Sequence, residues 1–349
     1  MKKKGLIGGL AALLAGIGIY RLVSTQNKKN DHNDVWTTVD MPDLTGKVII
    51  VTGANSGIGF EAAKEFARKG AQTILACRSL DKAQAAQDEI QAEIPGAPAE
   101  IMQLDLASLD SVRQFAAAFK AKYDRLDVLV NNAGIMMVPY GTTEDGFERQ
   151  FGTNHLGHFD LTGVLLDLIL GTPGARVVNV SSNAHHRGTM DFDNLMFEDG
   201  AGYSPMGAYG RSKLANLLFT YELQRRFDAA GANALSVAAH PGISRTNLTG
   251  HMEDRWYFKL FTPLMPWLLQ SAAMGALPTL RAAVDPNVTG GQYFGPDGAR
   301  EQRGYPVQVE SNGVSHNEAD ARRLWQVSEQ LTGVVYTALE TANGRSQHA

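Results

Sequence analysis

From residue 47 onward, short apolar runs rich in β-branched residues alternate with longer segments whose apolar positions recur every three or four residues. The first pattern suits a strand buried on both faces, the second a helix with one apolar stripe. Strands are predicted at 47–52, 72–76, 100–104, 128–131, 176–180, 234–239 and 290–294. Helices are predicted at 59–69, 80–92, 109–120, 154–170 and 208–227. Such alternation implies parallel strands joined by helical crossovers. Right-handed crossovers then give a doubly wound, Rossmann-type α/β sheet with helices on both faces. A single domain over residues 41–340 holds all of these elements, and 341–349 reads as a disordered tail.

The start of the chain breaks this pattern. Lys2, Lys3 and Lys4 precede an uncharged apolar run over residues 5–20, closed by Arg21. As a helix this run would span roughly 24 Å, somewhat less than a hydrocarbon core of about 30 Å. Leu22 and Val23, with flanking cations reaching to the interface, close most of the gap. Residues 1–23 therefore read as an N-terminal hydrophobic helix that anchors the protein in a membrane. The alternatives are a cleaved signal peptide, for which no clear small-residue cleavage site follows, and a helix lying on the membrane or on the protein. The polar residues 24–40 read as a linker.

Composition narrows the function classes. A net charge of −4 and no concentrated basic stretch argue against a nucleic-acid partner. One cysteine, Cys77, excludes a disulfide within the chain and a cysteine-based zinc site. No metal site is expected. His185 and His186 are adjacent but have no further ligand cluster at metal spacing, so they read as loop residues.

The turn Thr52-Gly53-Ala54-Asn55-Ser56-Gly57-Ile58-Gly59 joins the first predicted strand to the first helix. Glycines there allow a tight turn and close approach of a pyrophosphate, and the helix start offers free amides and a positive dipole end. In this context the turn is a candidate dinucleotide site.

Its spacing, T-G-x-x-x-G-x-G, resembles that of the short-chain dehydrogenase/reductase family. The resemblance covers about residues 45–300. It includes Asp105, Asn131-Asn132-Ala133-Gly134, Asn154, Ser182, Tyr209-x-x-x-Lys213 and Pro241-Gly242, each at a predicted strand end or on a helix. The runs 154–159, 177–186 and 212–216 look like the retinol-dehydrogenase-like branch.

An NAD site usually has an acid at the end of the second strand, where it binds the ribose 2′-hydroxyl. Here Cys77 stands there and Arg78 follows, a cation able to pair with a 2′-phosphate. NADP(H) is the expected cofactor; the plainer reading of Arg78 is a solvated surface charge. By resemblance, Asp105 with Leu106 lies at the adenine, although Asp105 also suits a turn or cap with 106–108. Asn132, Ala133 and Gly134 let the cofactor lie close, and Pro241, Gly242 and Thr246 face its nicotinamide and pyrophosphate.

Carbonyl reduction needs a hydride donor, a proton donor and stabilisation of negative charge at oxygen. A tyrosine ionises near pH 10, and a neighbouring ammonium lowers that value. Tyr209 and Lys213 are four residues apart on one predicted helix, hence on one face. Tyr203 lacks this partner, since Gly207 follows it at that distance. The resemblance implies that Tyr209 is the general acid/base and that Lys213 also holds the nicotinamide ribose. It implies that Ser182 polarises the substrate oxygen, with Ser181 as the alternative. Asn154 would hold a water linking Lys213 to solvent; its structural alternative is a helix N-cap.

Residues 256–269 are densely aromatic and apolar, suited to a lid over a greasy pocket, a membrane-dipping surface or core. With the N-terminal run they favour a small lipophilic carbonyl or alcohol substrate, retinoid-like or a long-chain aldehyde or ketone. An NADPH-dependent reductase implies a catalytic domain facing the cytosol. Family members often form homo-oligomers through long helices. Two rival readings are a reductase of conjugated C=C bonds, resembling protochlorophyllide reductases, and a nucleotide-sensing protein without turnover.

Overall fold

A computed structural model describes residues 35–244 and 270–339. The strands are β1 (Val48–Thr52), β2 (Gln72–Cys77), β3 (Ala99–Gln103), β4 (Val128–Asn131), β5 (Ala175–Val180), β6 (Ala234–Ala239), β7 (Tyr293–Pro296) and β8 (Pro306–Gln308). They form one sheet in the order β3-β2-β1-β4-β5-β6-β7-β8. The first seven are parallel, with Ile50 between Ile74 and Leu129 and Val178 beside Val237. The expectation of an all-parallel sheet is corrected at one edge, where β8 runs antiparallel to β7. β8 returns through the short connection 297–305, and a short connection permits only an antiparallel pairing.

The helices are α1 (Gly57–Arg68), α2 (Leu80–Glu93), α3 (Leu109–Lys120), α4 (Gly157–Val164), α5 (Leu166–Gly171), α6 (Pro205–Ala230), α7 (Ala272–Val284) and α8 (Glu318–Thr332). Ser79, Ser108, Ser204, Ser271 and Asn317 cap α2, α3, α6, α7 and α8 by accepting backbone amides of the first turn. Alternate residues of each strand feed two apolar layers. Ile49, Val51, Val130 and Val237 pack with Phe66 of α1, Ile90 of α2 and Leu280 of α7. Ile50, Ile74, Leu129 and Val177 pack with Phe115 of α3, Phe159 of α4 and Phe219 of α6. The second layer is closed by Trp325 of α8 and Tyr336, whose rings lie 5.2 and 5.0 Å from that of Phe159. Tyr336 Oη donates to the Phe159 carbonyl at 2.7 Å.

The helix expected over 154–170 is interrupted twice. A π-turn occupies Gly152–Leu156, and the backbone leaves helical geometry at Leu165. α7 and α8 add two helices not read from the sequence. Trp36, within the segment read as linker, packs on the first apolar layer together with Met41. From Trp36 onward the described residues form one compact unit. The N-terminal run 5–20, Thr246, the aromatic stretch 256–269 and the tail 341–349 lie outside the described residues. Among the described residues no helix is long and apolar enough to cross a membrane.

Candidate active site

β1 is flanked by β2 and β4, so the crossovers run outward in opposite directions from the β1/β4 boundary. A crevice opens at such a reversal, beyond the carboxyl ends of the strands. The glycine turn at the end of β1 and Asn132-Ala133-Gly134 at the end of β4 both lie there. Thr52 Oγ1 ties them together by accepting the amides of Asn132 and Ala133, each at 2.9 Å. Asn132 Nδ2 donates to the Thr52 carbonyl at 2.8 Å.

The turn is close-packed from below. A Cβ on Gly59 would stand 2.4 Å from Asn132 Nδ2 and 2.5 Å from the Gly53 carbonyl oxygen. Gly53 has φ +67° and lies against Ala133, with 3.0 Å available to a Cβ. Ser56 occupies the N-cap of α1, yet its side chain makes no capping bond. The amides over Ser56, Gly57 and Ile58 are therefore left without a side-chain cap, with the positive end of the helix dipole behind them, a setting for phosphate. Cys77 closes β2 against the same turn, its sulfur accepting the Ala54 and Asn55 amides, and burial pushes its thiol up to about 11. Arg78 is exposed and makes no hydrogen bond or ion pair among the described residues. Asp105 accepts the Ala107 amide at 3.0 Å while Ser108 caps α3, so the turn reading of Asp105 holds. Leu106 is buried, its carbonyl backed by Gly157.

A second group gathers beside Gly134. Tyr209 and Lys213 lie on α6, which is buried over most of its length and fixed at its ends by Ser204 and Gly231. The Tyr209 hydroxyl faces Ser182, which follows β5. Ser181 points the other way, donating to the Lys213 carbonyl at 2.9 Å. Lys213 Nζ donates to the Val180 carbonyl at 2.9 Å and lies 5.7 Å from the centre of the Tyr209 ring. It would be 3.6 Å from a Cβ on Gly134.

The expected lowering of the phenol is not what this arrangement gives. Burial pushes Tyr209 up to about 12, opposed only in part by the neighbouring Ser182. Burial also brings Lys213 down to about 8. Desolvation outweighs the pairing because the ammonium faces a backbone carbonyl rather than the phenol oxygen.

Asn154 is fully buried in the π-turn, not at a helix N-cap. Its Oδ1 accepts the Ile135 amide at 2.8 Å, and its Nδ2 donates to the Ile135 carbonyl at 3.0 Å and to Ser212 Oγ at 2.9 Å. His158 Nδ1 donates to the Asn154 carbonyl at 3.0 Å, leaving Nε2, 2.9 Å from Thr52 Oγ1, as an acceptor. Burial holds this imidazole neutral, down to about 4. The glycine turn is thus linked through Thr52 and His158 to the turn that carries Asn154.

Ser212, Asn216 and His158 support the site but were not singled out individually from the sequence. Asn216 Nδ2 shares the Val180 carbonyl with Lys213, at 3.1 Å. The available signal was polar residues at 212, 213, 216 and 220 along one face of an otherwise apolar helix. Pro241 and Gly242 follow β6 at the same end of the sheet, and Pro241's carbonyl accepts Ser244 Oγ and Gln270 Nε2, both at 2.7 Å. Among the described residues no group of three or more His, Cys, Asp or Glu is arranged for a metal ion.

Comparison with known proteins agrees with this geometry. A model of the short chain dehydrogenase family matches residues 47–255. Retinol dehydrogenase 13 of Homo sapiens is 43% identical over 296 residues, covering 83% of this chain and 86% of that protein. Retinol dehydrogenase 12 of Mus musculus is 40% identical over 93% of this chain and 98% of its own. An uncharacterised protein of Mycobacterium paratuberculosis, solved by crystallography, has 41% identity and a TM-score of 0.72, covering 86% of this chain and 99% of that one. A short chain dehydrogenase of Escherichia coli CFT073 complexed with NADPH has 25% identity and a TM-score of 0.56, over 72% of this chain and 97% of that one. The chain therefore belongs to the short-chain dehydrogenase/reductase family of oxidoreductases, in its retinol-dehydrogenase-like branch.

Proposed function

We propose that the protein is an NADP(H)-dependent reductase that converts the carbonyl of a small lipophilic substrate, retinoid-like or a long-chain aldehyde or ketone, to an alcohol. The observation that carries this reading is the buried Tyr209 hydroxyl, beside Ser182 and one helical turn from Lys213. The glycine cradle fits a dinucleotide: Gly53 and Gly59 let the turn close tightly against Asn132 and Ala133 at the start of α1, and Arg78, without a partner among the described residues, is a cation available to a 2′-phosphate. Asp105, Leu106, Asn132, Ala133 and Gly134 would line the rest of its path, with Pro241 and Gly242 toward the nicotinamide end; the family resemblance adds Thr246 as a contact to the nicotinamide or pyrophosphate. When bound, the reduced cofactor supplies the hydride.

The residues of the chain handle the oxygen. Ser182 donates to the substrate carbonyl and holds it at the phenol. Tyr209, a neutral phenol at physiological pH that burial holds more firmly protonated, gives its proton as charge develops on that oxygen. Lys213 supplies the positive charge that stabilises the phenolate left behind and binds the ribose of the cofactor. Asn154 holds the Ile135 segment and the start of the path by which the phenolate regains a proton from water. A reductase of conjugated C=C bonds with cysteine as acid gains no support, since the one thiol is buried at the cofactor end. A sensor without turnover has no use for a matched tyrosine, lysine and serine.

Residues 1–23 would anchor the enzyme in a membrane with the catalytic domain in the cytosol, where NADPH is kept reduced. The test is NADPH oxidation with a panel of aldehydes and ketones. Tyr209→Phe should lower turnover by about a hundred- to ten-thousand-fold while NADPH binding stays close to wild type. Undiminished turnover in that variant refutes the role.

A further inference from the structure

The β7–β8 connection, residues 297–305, reaches across the catalytic end of the sheet. Arg300 and Glu301 both adopt left-handed backbone there, with φ of 55° and 54°. Non-glycine residues rarely do so, and such strain persists where surrounding contacts over-determine it. Here it turns the Glu301 carboxylate inward onto His240, the residue before Pro241-Gly242, with Oε2 2.9 Å from Nε2. His240 is fully buried. Its Nδ1 accepts the Gly242 amide at 3.3 Å, so the ring proton sits on Nε2 and is donated to Glu301. Gly295 of β7 makes room for the imidazole, since a Cβ there would come within 2.0 Å of Nε2. The ring of Tyr293 lies 5.2 Å away and fixes its plane.

The same loop is attached on both sides. Ile243 donates its amide to the Gln302 carbonyl at 2.7 Å. The Gly304 amide donates to Gln270 Oε1 at 3.1 Å, while Gln270 Nε2 donates to the Pro241 carbonyl. Across the crevice, Asn183, next to Ser182, donates Nδ2 to the Arg300 carbonyl at 3.2 Å. One strained loop therefore grips the segment after β6 and the residue beside Ser182. Neither Glu301 nor His240 is among the residues assigned above to substrate or cofactor.

We propose that Glu301 is a positioning residue: through the His240 imidazole it holds the Pro241-Gly242 turn in the shape that receives the nicotinamide end of the cofactor. This rests on the reading that Pro241 and Gly242 contact that cofactor. This hydrogen bond differs from an ordinary surface bridge because one partner is a fully buried ring whose single proton needs an acceptor. The His240 hydrogen bond also holds the Glu301 carboxyl below its usual range.

The experiment is a fluorescence titration of the full chain with NADPH and NADH, for wild type, Glu301→Ala and Glu301→Gln, with the melting temperature of each free protein. Glu301→Ala should weaken binding of the preferred nucleotide about ten-fold, the scale of one lost charge-assisted hydrogen bond. Glu301→Gln, whose amide oxygen still accepts from Nε2, should recover most of that loss, and the melting temperatures should stay within a few degrees. Equal binding by wild type and Glu301→Ala overturns the proposal. So does a loss that glutamine fails to restore, or one that follows a large fall in melting temperature. If wild type binds neither nucleotide, the functional reading itself fails, which is a different result from unchanged binding in the variant.

Discussion

Asp160 offers a test of the electrostatics that is independent of the reaction. Its side chain on α4 is fully buried, and neither carboxyl oxygen has a hydrogen-bond partner among the described residues. The Arg113 guanidinium approaches only to 3.8 Å and spends its Nη2 on the Thr332 carbonyl at 2.6 Å. Burial therefore dominates and pushes the carboxyl from 3.8 up to about 6, with Arg113 opposing and Asp145 adding to the shift. For an acid raised on folding, the unfolded chain loses its proton first. Folding stability then falls as pH rises from 3.8 through about 6 and is level above. At about 1.4 kcal/mol per tenfold change in proton affinity, the full loss is about 3 kcal/mol. Asp160→Asn removes the titration. Its stability advantage over wild type should grow by about 1.5 kcal/mol between pH 5 and pH 8, the remainder arising below pH 5. Urea unfolding of both proteins across that range, fitted to a two-state transition, measures the difference. A gap that does not change with pH, or that narrows as pH rises, refutes the account of Asp160 as a desolvated carboxyl only partly offset by Arg113.

Other perturbations test the cradle, the cofactor choice and the anchor. Gly59→Ala should abolish NADPH binding and cost about 1–3 kcal/mol in a thermal melt, because the added methyl overlaps Asn132 Nδ2 and the Gly53 carbonyl; wild-type titration curves would count against the cradle. Arg78→Asp should shift the NADPH/NADH affinity ratio toward NADH by about ten-fold or more, since a carboxylate repels a 2′-phosphate and accepts from a 2′-hydroxyl; an unmoved ratio makes Arg78 a surface charge only. Removing residues 1–30 should transfer the protein from the membrane pellet to the detergent-free supernatant, and equal partition of the two forms excludes the anchor.

The strand–helix frame is legible because each inner strand is a short, predominantly apolar run. The predicted 128–131 and 234–239 coincide with β4 and β6, and 109–120 with α3. α7 escapes because it is apolar on all sides, giving no stripe, and contains Pro278, ordinarily a helix breaker. β8 has only three residues and begins with proline. The breaks within 154–170 come from tertiary demands, as the π-turn brings the Asn154 amide onto the Ile135 backbone. At the site, the glycine turn and the Tyr209/Lys213 spacing are readable because their chemistry is local. The His240–Glu301 pair is not, since its members are 61 residues apart and meet only through a strained loop. The ionisation of Tyr209 is also beyond spacing alone: burial and the direction in which Lys213 points decide it.

The bond from Tyr336 to the Phe159 carbonyl spans 177 residues. During synthesis, α4 emerges long before the aromatic rings that cover it. At about 5–20 residues per second, the outer face of Phe159 waits of order ten seconds or more for its partners on a translating ribosome. Stalled or prematurely terminated chains would present this greasy face to chaperones, and a heterologous host that elongates quickly would shorten the exposure.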